Sequence, residues 1–160
     1  MNKSRSSIRP KRKTKKTKTS NLSEVEQKSG SLHLTKKVDY GIYLLIELSK
    51  GNGQSLSIKK IAEQNMLSFT FLQKIAGLLL KAKIIQAERG KYGGYSLIKK
   101  PQDISLREII EALEGPISLT RCLKTTCRRE KICQVKPVVE QINQDIKDYL
   151  LRKSLHAFMV

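Results

Sequence analysis

The sequence predicts a mainly α-helical fold with one small β-hairpin, and three observations carry that prediction. Apolar residues recur at helical spacing through most of the chain from Leu34 onward. The period switches once to a strand-like pattern, on either side of a glycine-rich tip at Gly90–Gly94. A final apolar stripe at helical spacing follows Pro137.

Each element has local signals. Asp39 to Lys50 is apolar on most sides, as a helix central to a small domain must be, and Gly51-Asn52-Gly53-Gln54 reads as the loop that ends it. Ser57 is a candidate N-cap for a short second helix carrying Ile58, Ile61 and Ala62, which fades at Gln64-Asn65. After a tight turn, Ser68 caps a third helix over about 69–81, with Leu72, Ile75, Leu78 and Leu79 on one face. Gly77 inside that helix costs about 1 kcal/mol relative to Ala, and a close helix crossing is the expected reason. Ile84 to Arg89 and Tyr95 to Ile98 are the strands of a hairpin. Ser105 with Glu108 three residues on forms a capping box for a fourth helix, and Gly115-Pro116 ends it. Pro137 suits the first turn of a long last helix, whose stripe is Val138, Val139, Ile142, Ile146, Tyr149 and Leu150.

Composition narrows the function. The 160 residues carry 32 Lys+Arg against 14 Asp+Glu, a formal charge of +18. Such a chain calls for a polyanionic partner. No apolar run reaches the roughly 18 residues of a membrane span, and no secretory signal is evident, so a cytoplasmic protein is expected. Residues 1–30 hold ten basic and two acidic residues with almost no apolar ones. Residues 1–31 are therefore expected to be a disordered basic tail, which either adds non-specific DNA affinity by counterion release or is an inert solvated extension. No phosphate loop, paired-carboxylate motif or nucleophile–His arrangement points to an enzyme, and no small-molecule substrate is evident.

Helix, helix, turn, helix and hairpin in this order predict a winged helix-turn-helix DNA-binding domain over 32–116, followed by a cysteine loop over 117–136. The stretch 137–160 is then a dimerisation helix and C-terminal end. The third helix enters the major groove by its N-terminal end, so Ser68, Thr70, Phe71, Gln73 and Lys74 are the candidate contacts. Gln73 has the geometry to pair with adenine and Lys74 to meet phosphate, while Phe71 either meets a thymine methyl or belongs to the core. Arg89, Lys91, Tyr92 and Gly93 form the wing tip that approaches the DNA backbone or minor groove. The partners expected are double-stranded promoter DNA and a second copy of the chain.

Cys122, Cys127 and Cys133 are spaced C-x4-C-x5-C among Arg121, Lys124, Arg128, Arg129 and Lys131. Thiolates suit iron–sulfur clusters or zinc, and basic neighbours favour the thiolate. A thiol switch without metal and three inert packed cysteines are the other readings that the residues leave open.

The set Leu34-Thr35-Lys36, Asp39-Tyr40-Gly41, Ile58 to Glu63, Arg89 to Tyr95, Asp103 to Leu106 and Leu113-Glu114-Gly115-Pro116 resembles the Rrf-two-type winged-helix regulators, with their IscR-like and NsrR-like members. The similarity covers about residues 32–152, and the 31 residues before Leu32 are an addition. The resemblance implies a homodimer on a palindromic promoter site. It also implies an iron–sulfur cluster, two-iron or four-iron, held by Cys122, Cys127 and Cys133, whose loss or damage changes DNA affinity. Gly115 to Cys122 looks closest to SUF-system regulators, which implies iron–sulfur assembly genes as targets. A nitric-oxide-sensing repressor is the alternative within the family. Lys136 stands where IscR-like members carry a ligating His. The partner subunit's Asp39 matches the fourth ligand of NsrR-like members, and His33 is a weaker candidate.

Overall fold

The computed structural model describes residues 34–90 and 93–159. The expected basic tail, His33, Lys91 and Tyr92 lie outside them.

Among the described residues, five α-helices and one hairpin, with short 3-10 turns between them, follow in the order α1 Lys36–Ser49, α2 Ile58–Gln64, α3 Phe69–Lys81, β1 Ile85–Glu88, β2 Gly94–Leu97, α4 Leu106–Glu114 and α5 Val135–Arg152. The expected order and the mainly helical class are both present. Thr35 starts α1 by accepting the Val38 N–H. Ser68 starts α3 by accepting the Phe71 N–H, and Ser105 with Glu108 forms the full capping box of α4. Such side chains satisfy N–H groups that have no partner within the helix.

The core is aliphatic. Leu44 and Leu45 of α1, Leu72 and Leu79 of α3 and Ile109 of α4 are fully buried. Each contributes about 1.5–3 kcal/mol by leaving water. Within α3, Leu78 lies outside the expected core face: it is 37% exposed, and Ala76 is buried instead. A Cβ added at Gly77 would meet nothing within 4 Å, so no helix crossing explains that glycine.

The hairpin is antiparallel, with Ile85 opposite Leu97 and Glu88 opposite Gly94. A third piece of strand, which the sequence did not reveal, holds it to the helices. Leu56 donates its N–H to Tyr95 O at 2.8 Å and accepts the Tyr95 N–H at 2.9 Å. The loop before α2 and the wing thus share one ladder.

α5 begins at Val135, two residues before the expected start. Pro137 sits in its first turn, where a missing N–H costs no helix bond. Beyond α5 the chain folds back. Leu106 N–H donates to Lys153 O at 2.7 Å, Leu155 N–H donates to Ile104 O at 2.8 Å, and Leu155 is fully buried.

The stripe on α5 divides. Leu150 packs on the core, whereas Val138, Ile142 and Tyr149 are 60%, 46% and 55% exposed. Among the described residues no helix is long and apolar enough to cross a membrane.

Candidate nucleic-acid interface and cysteine loop

Two features of α2 and α3 set the reading surface. The turn between them is held from behind, because the Tyr43 hydroxyl on α1 donates to the Asn65 side chain, whose amide caps Ile61 O at 2.9 Å. Met66 in that turn adopts a φ of 53° and is 95% exposed. The turn leaves the first residues of α3 facing outward.

Ser68, Thr70, Gln73 and Lys74 are all exposed, as a base- and phosphate-contacting face requires. Ser68 serves twice: its oxygen accepts the Phe71 N–H at 3.4 Å, and among the described residues its own proton has no acceptor. Of the two readings of Phe71, the structure favours the core one. It is half-buried, stands edge-on to Tyr40 with ring centroids 5.4 Å apart, and belongs to the packing around the core. Phe69 takes the open place instead, at 43% exposure. The signal for this was present: residues four apart share a helix face, which groups Phe69 with Gln73 and Gly77, and Phe71 with the buried Ile75.

A cleft of about 410 Å³ joins α2, α3 and the wing, and brings Lys59, Phe69, Gln73, Glu88, Arg89 and Gly93 to one surface. Arg89 is exposed at the end of β1. Gly93 donates its N–H to Gly90 O at 3.0 Å and closes the tip. A Cβ on Gly93 would meet the Glu88 carbonyl oxygen, so the tip excludes a side chain there. Lys59 and Glu88 were not singled out from the sequence. Lys59, Lys74, Lys81 and Lys83 take part in no ion pair among the described residues, so their charge is available to phosphate.

The cysteine loop leaves α4 at Gly115 and reaches α5 through two short 3-10 turns, Arg121–Leu123 and Glu130–Ile132. Cys122, Cys127 and Cys133 are free thiols, each half-buried. Their soft donors suit iron–sulfur ligation, but their placement in a single chain does not: among the described residues no three His, Cys, Asp or Glu side chains gather as a metal site. Asp39 is exposed in the first turn of α1 and is not brought to the thiols. Lys136 is occupied otherwise. Its ammonium donates to Glu130 and lies 3.5 Å from Glu140. The Glu130 hydrogen bond raises its pKa further, so it stays protonated and is no metal ligand.

Where the loop begins, α4 and α1 are latched together. The Thr35 hydroxyl donates to Glu114 at 2.6 Å, and Lys37 lies 3.2 Å from the same carboxylate while donating to Leu113 O at 2.8 Å. The Thr35 bond, ahead of Lys37, holds the Glu114 carboxyl below its ordinary range.

The family model described as "Iron-dependent Transcriptional regulator", Rrf2, matches residues 34–160. The transcriptional regulator CymR of Bacillus subtilis is 34% identical over 114 residues, 69% of this chain and 83% of that protein. NsrR of Shouchella clausii is 29% identical over 114 residues, 69% of this chain and 76% of that protein. The solved structure of Bacillus subtilis CymR, described as the global cysteine regulator, superposes with a TM-score of 0.63 at 32% identity, covering 81% of this chain and 97% of that one. IscR of T. potens superposes with a TM-score of 0.61 at 29% identity, covering 81% of this chain and 87% of that one. These proteins are transcription regulators, not enzymes.

Proposed function

The chain belongs to the Rrf2 family of DNA-binding transcription regulators, and from that premise we propose that it is a homodimeric promoter-binding regulator that senses iron–sulfur or redox status through Cys122, Cys127 and Cys133. The observation that carries the DNA part is the cleft that sets Phe69 and Gln73 of α3 beside Arg89 and Gly93 of the wing. Phe69 and Gln73 meet base edges there, while Ser68, Thr70, Lys74 and Arg89 hold the flanking phosphates. Glu88 is suited to accept from a cytosine amino group.

The dimer reading rests on α5. Val135, Val138, Ile142 and Tyr149 form an exposed row at spacings of three, four and seven, and a second copy of the same row buries it. Ile142→Glu in this row is expected to yield monomer by light scattering, with the DNA affinity of a single half-site only.

The cofactor in this reading is an iron–sulfur cluster, two-iron or four-iron. The family's iron dependence and three free thiols in a basic loop support it. Because one chain does not gather the ligands, the cluster requires a closed form of the loop with a ligand such as the partner subunit's Asp39. Genes for iron–sulfur assembly, through likeness to SUF-system regulators, are the proposed targets. A second reading needs only two of the three free thiols to meet, not a full ligand set: a clusterless switch in which two of them lose two protons and two electrons to a cellular oxidant and join as a disulfide.

The deciding experiment combines the visible spectrum with iron and sulfide assays on anaerobically purified protein, followed by footprinting. Cluster absorption that disappears in Cys122→Ala protein supports the first reading. Colourless, iron-free protein whose footprint is lost with thiol oxidation supports the second. Absence of any footprint on promoter DNA would remove the regulatory role altogether.

A further inference from the structure

A short chain of contacts ties the first cysteine to α5. Asn143 is the one buried residue of that helix, at 7% exposure. Its side-chain oxygen accepts the backbone N–H of Leu119 at 3.0 Å. Immediately after Leu119, the Thr120 hydroxyl lies 3.1 Å from Cys122 Sγ. The Ser118 hydroxyl donates to Thr120 O at 2.7 Å, and Lys124 N–H closes the next turn onto Arg121 O at 2.9 Å. The entry to the loop is therefore braced internally and hydrogen-bonded to the helix through the Leu119 amide. Among the described residues, neither Cys127 nor Cys133 has a hydrogen bond to its sulfur.

Burying an asparagine is costly unless its polar atoms are used, and an apolar residue here would pack without that cost. The far end of α5 is locked as well, through the Lys153 and Leu155 backbone bonds to the start of α4. A displacement at Cys122 that the braced turn passes back to Leu119 either breaks the Asn143 bond or moves α5 with it. Moving α5 pulls on the segment that leads into α4 and the core beneath α1.

We propose that Asn143 is a positioning residue that couples the three-cysteine loop to α5, so that a chemical change at the cysteines reaches the DNA-binding unit through the helix. This rests on the loop being the sensing element.

The test uses the full chain as wild type, Asn143→Leu, Asn143→Asp and Leu119→Pro. Asn143→Leu removes the acceptor, Asn143→Asp keeps an acceptor oxygen on the same stem, and Leu119→Pro deletes the donor without touching α5. Two quantities are read: hydrogen exchange of the Leu119 amide, and the change in DNA dissociation constant caused by hydrogen peroxide. In Asn143→Leu the amide should exchange about fivefold faster or more, the value of one net hydrogen bond. Its untreated DNA affinity should match wild type while its peroxide response largely disappears. Leu119→Pro should lose the response in the same way, and Asn143→Asp should retain both protection and response. If Asn143→Leu, or Leu119→Pro, responds to peroxide as strongly as wild type, the coupling is overturned and the sensing role of the loop stands. If wild type itself shows no response, the sensing reading fails and the coupling fails with it.

Discussion

Gly94 is the point where the wing is joined to the rest of the domain, and Gly94→Ala tests that joint. A Cβ built on Gly94 would lie 2.5 Å from the Leu56 carbonyl oxygen, 2.6 Å from its carbon and 3.0 Å from its nitrogen. All three are backbone atoms, so no side-chain rotation relieves the clash. Reaching an ordinary 3.4 Å contact requires the wing and the loop before α2 to separate by about 0.9 Å. The two bonds between Leu56 and Tyr95, at 2.8 and 2.9 Å, then exceed hydrogen-bonding distance. At about 1 kcal/mol net for each bond, the expected loss is about 2 kcal/mol. For a domain of this size that lowers Tm by about 6–12 °C. Circular dichroism melting measures the loss, and fluorescence anisotropy with a promoter duplex measures the effect on binding. Affinity should fall too, because Arg89 and Gly93 move away from Gln73. A Gly94→Ala protein that melts within about 2 °C of wild type and binds as tightly would refute the view that Leu56 anchors the wing.

Three further outcomes are expected. Gly77→Ala should stabilise the protein by about 1 kcal/mol in denaturant titration, because the added methyl meets open space and a helix interior prefers alanine. Phe71→Ala should cost about 3 kcal/mol or less of stability while leaving base preference unchanged, whereas Gln73→Ala should cost about 1–3 kcal/mol at one base position only; a binding-site selection on both variants compares them. Acid should weaken the latch between α1 and α4. The Glu114 carboxyl is held below its ordinary value of 4.5, so its contribution is complete above that pH and is lost as pH falls through the lower folded value. A melting series across that acid range should show a shallower decline for Glu114→Gln than for wild type, though not a flat one, since Glu108 is held low as well. Burial opposes ionisation at Glu108, but bonds from Lys99 and Ser105 outweigh it.

What could be read from the chain alone follows the range of the forces involved. Ser68 and the Ser105–Glu108 box act within one helical turn, so α3 and the start of α4 stand where residue patterns place them. Tertiary partners were harder. Phe71 is decided by Tyr40, thirty-one residues earlier in the chain. Leu56 joins the hairpin through a bridge of one residue, too short to leave a periodic trace. Leu155 enters the core from just past the last long helix, where Arg152-Lys153-Ser154 interrupt the helical stripe and leave no period to follow. The cysteines show a different limit: their spacing announces soft-ligand chemistry, yet spacing does not say whether three sulfurs meet, and in the single chain they do not.

Gly115 has an evolutionary consequence. Its φ of 82° and ψ of −175° fall in a region that essentially only glycine occupies, although nothing lies within 4 Å of where a side chain would project. A library that randomises the surface would ordinarily find such a roomy site permissive. Here the backbone itself selects, so the junction between α4 and the cysteine loop should return glycine from every functional clone, with Pro116 next to it far freer to drift. Lineages that diverge in signal or in target promoter can remodel the loop and the reading helix on either side, but they must do so around a fixed pivot.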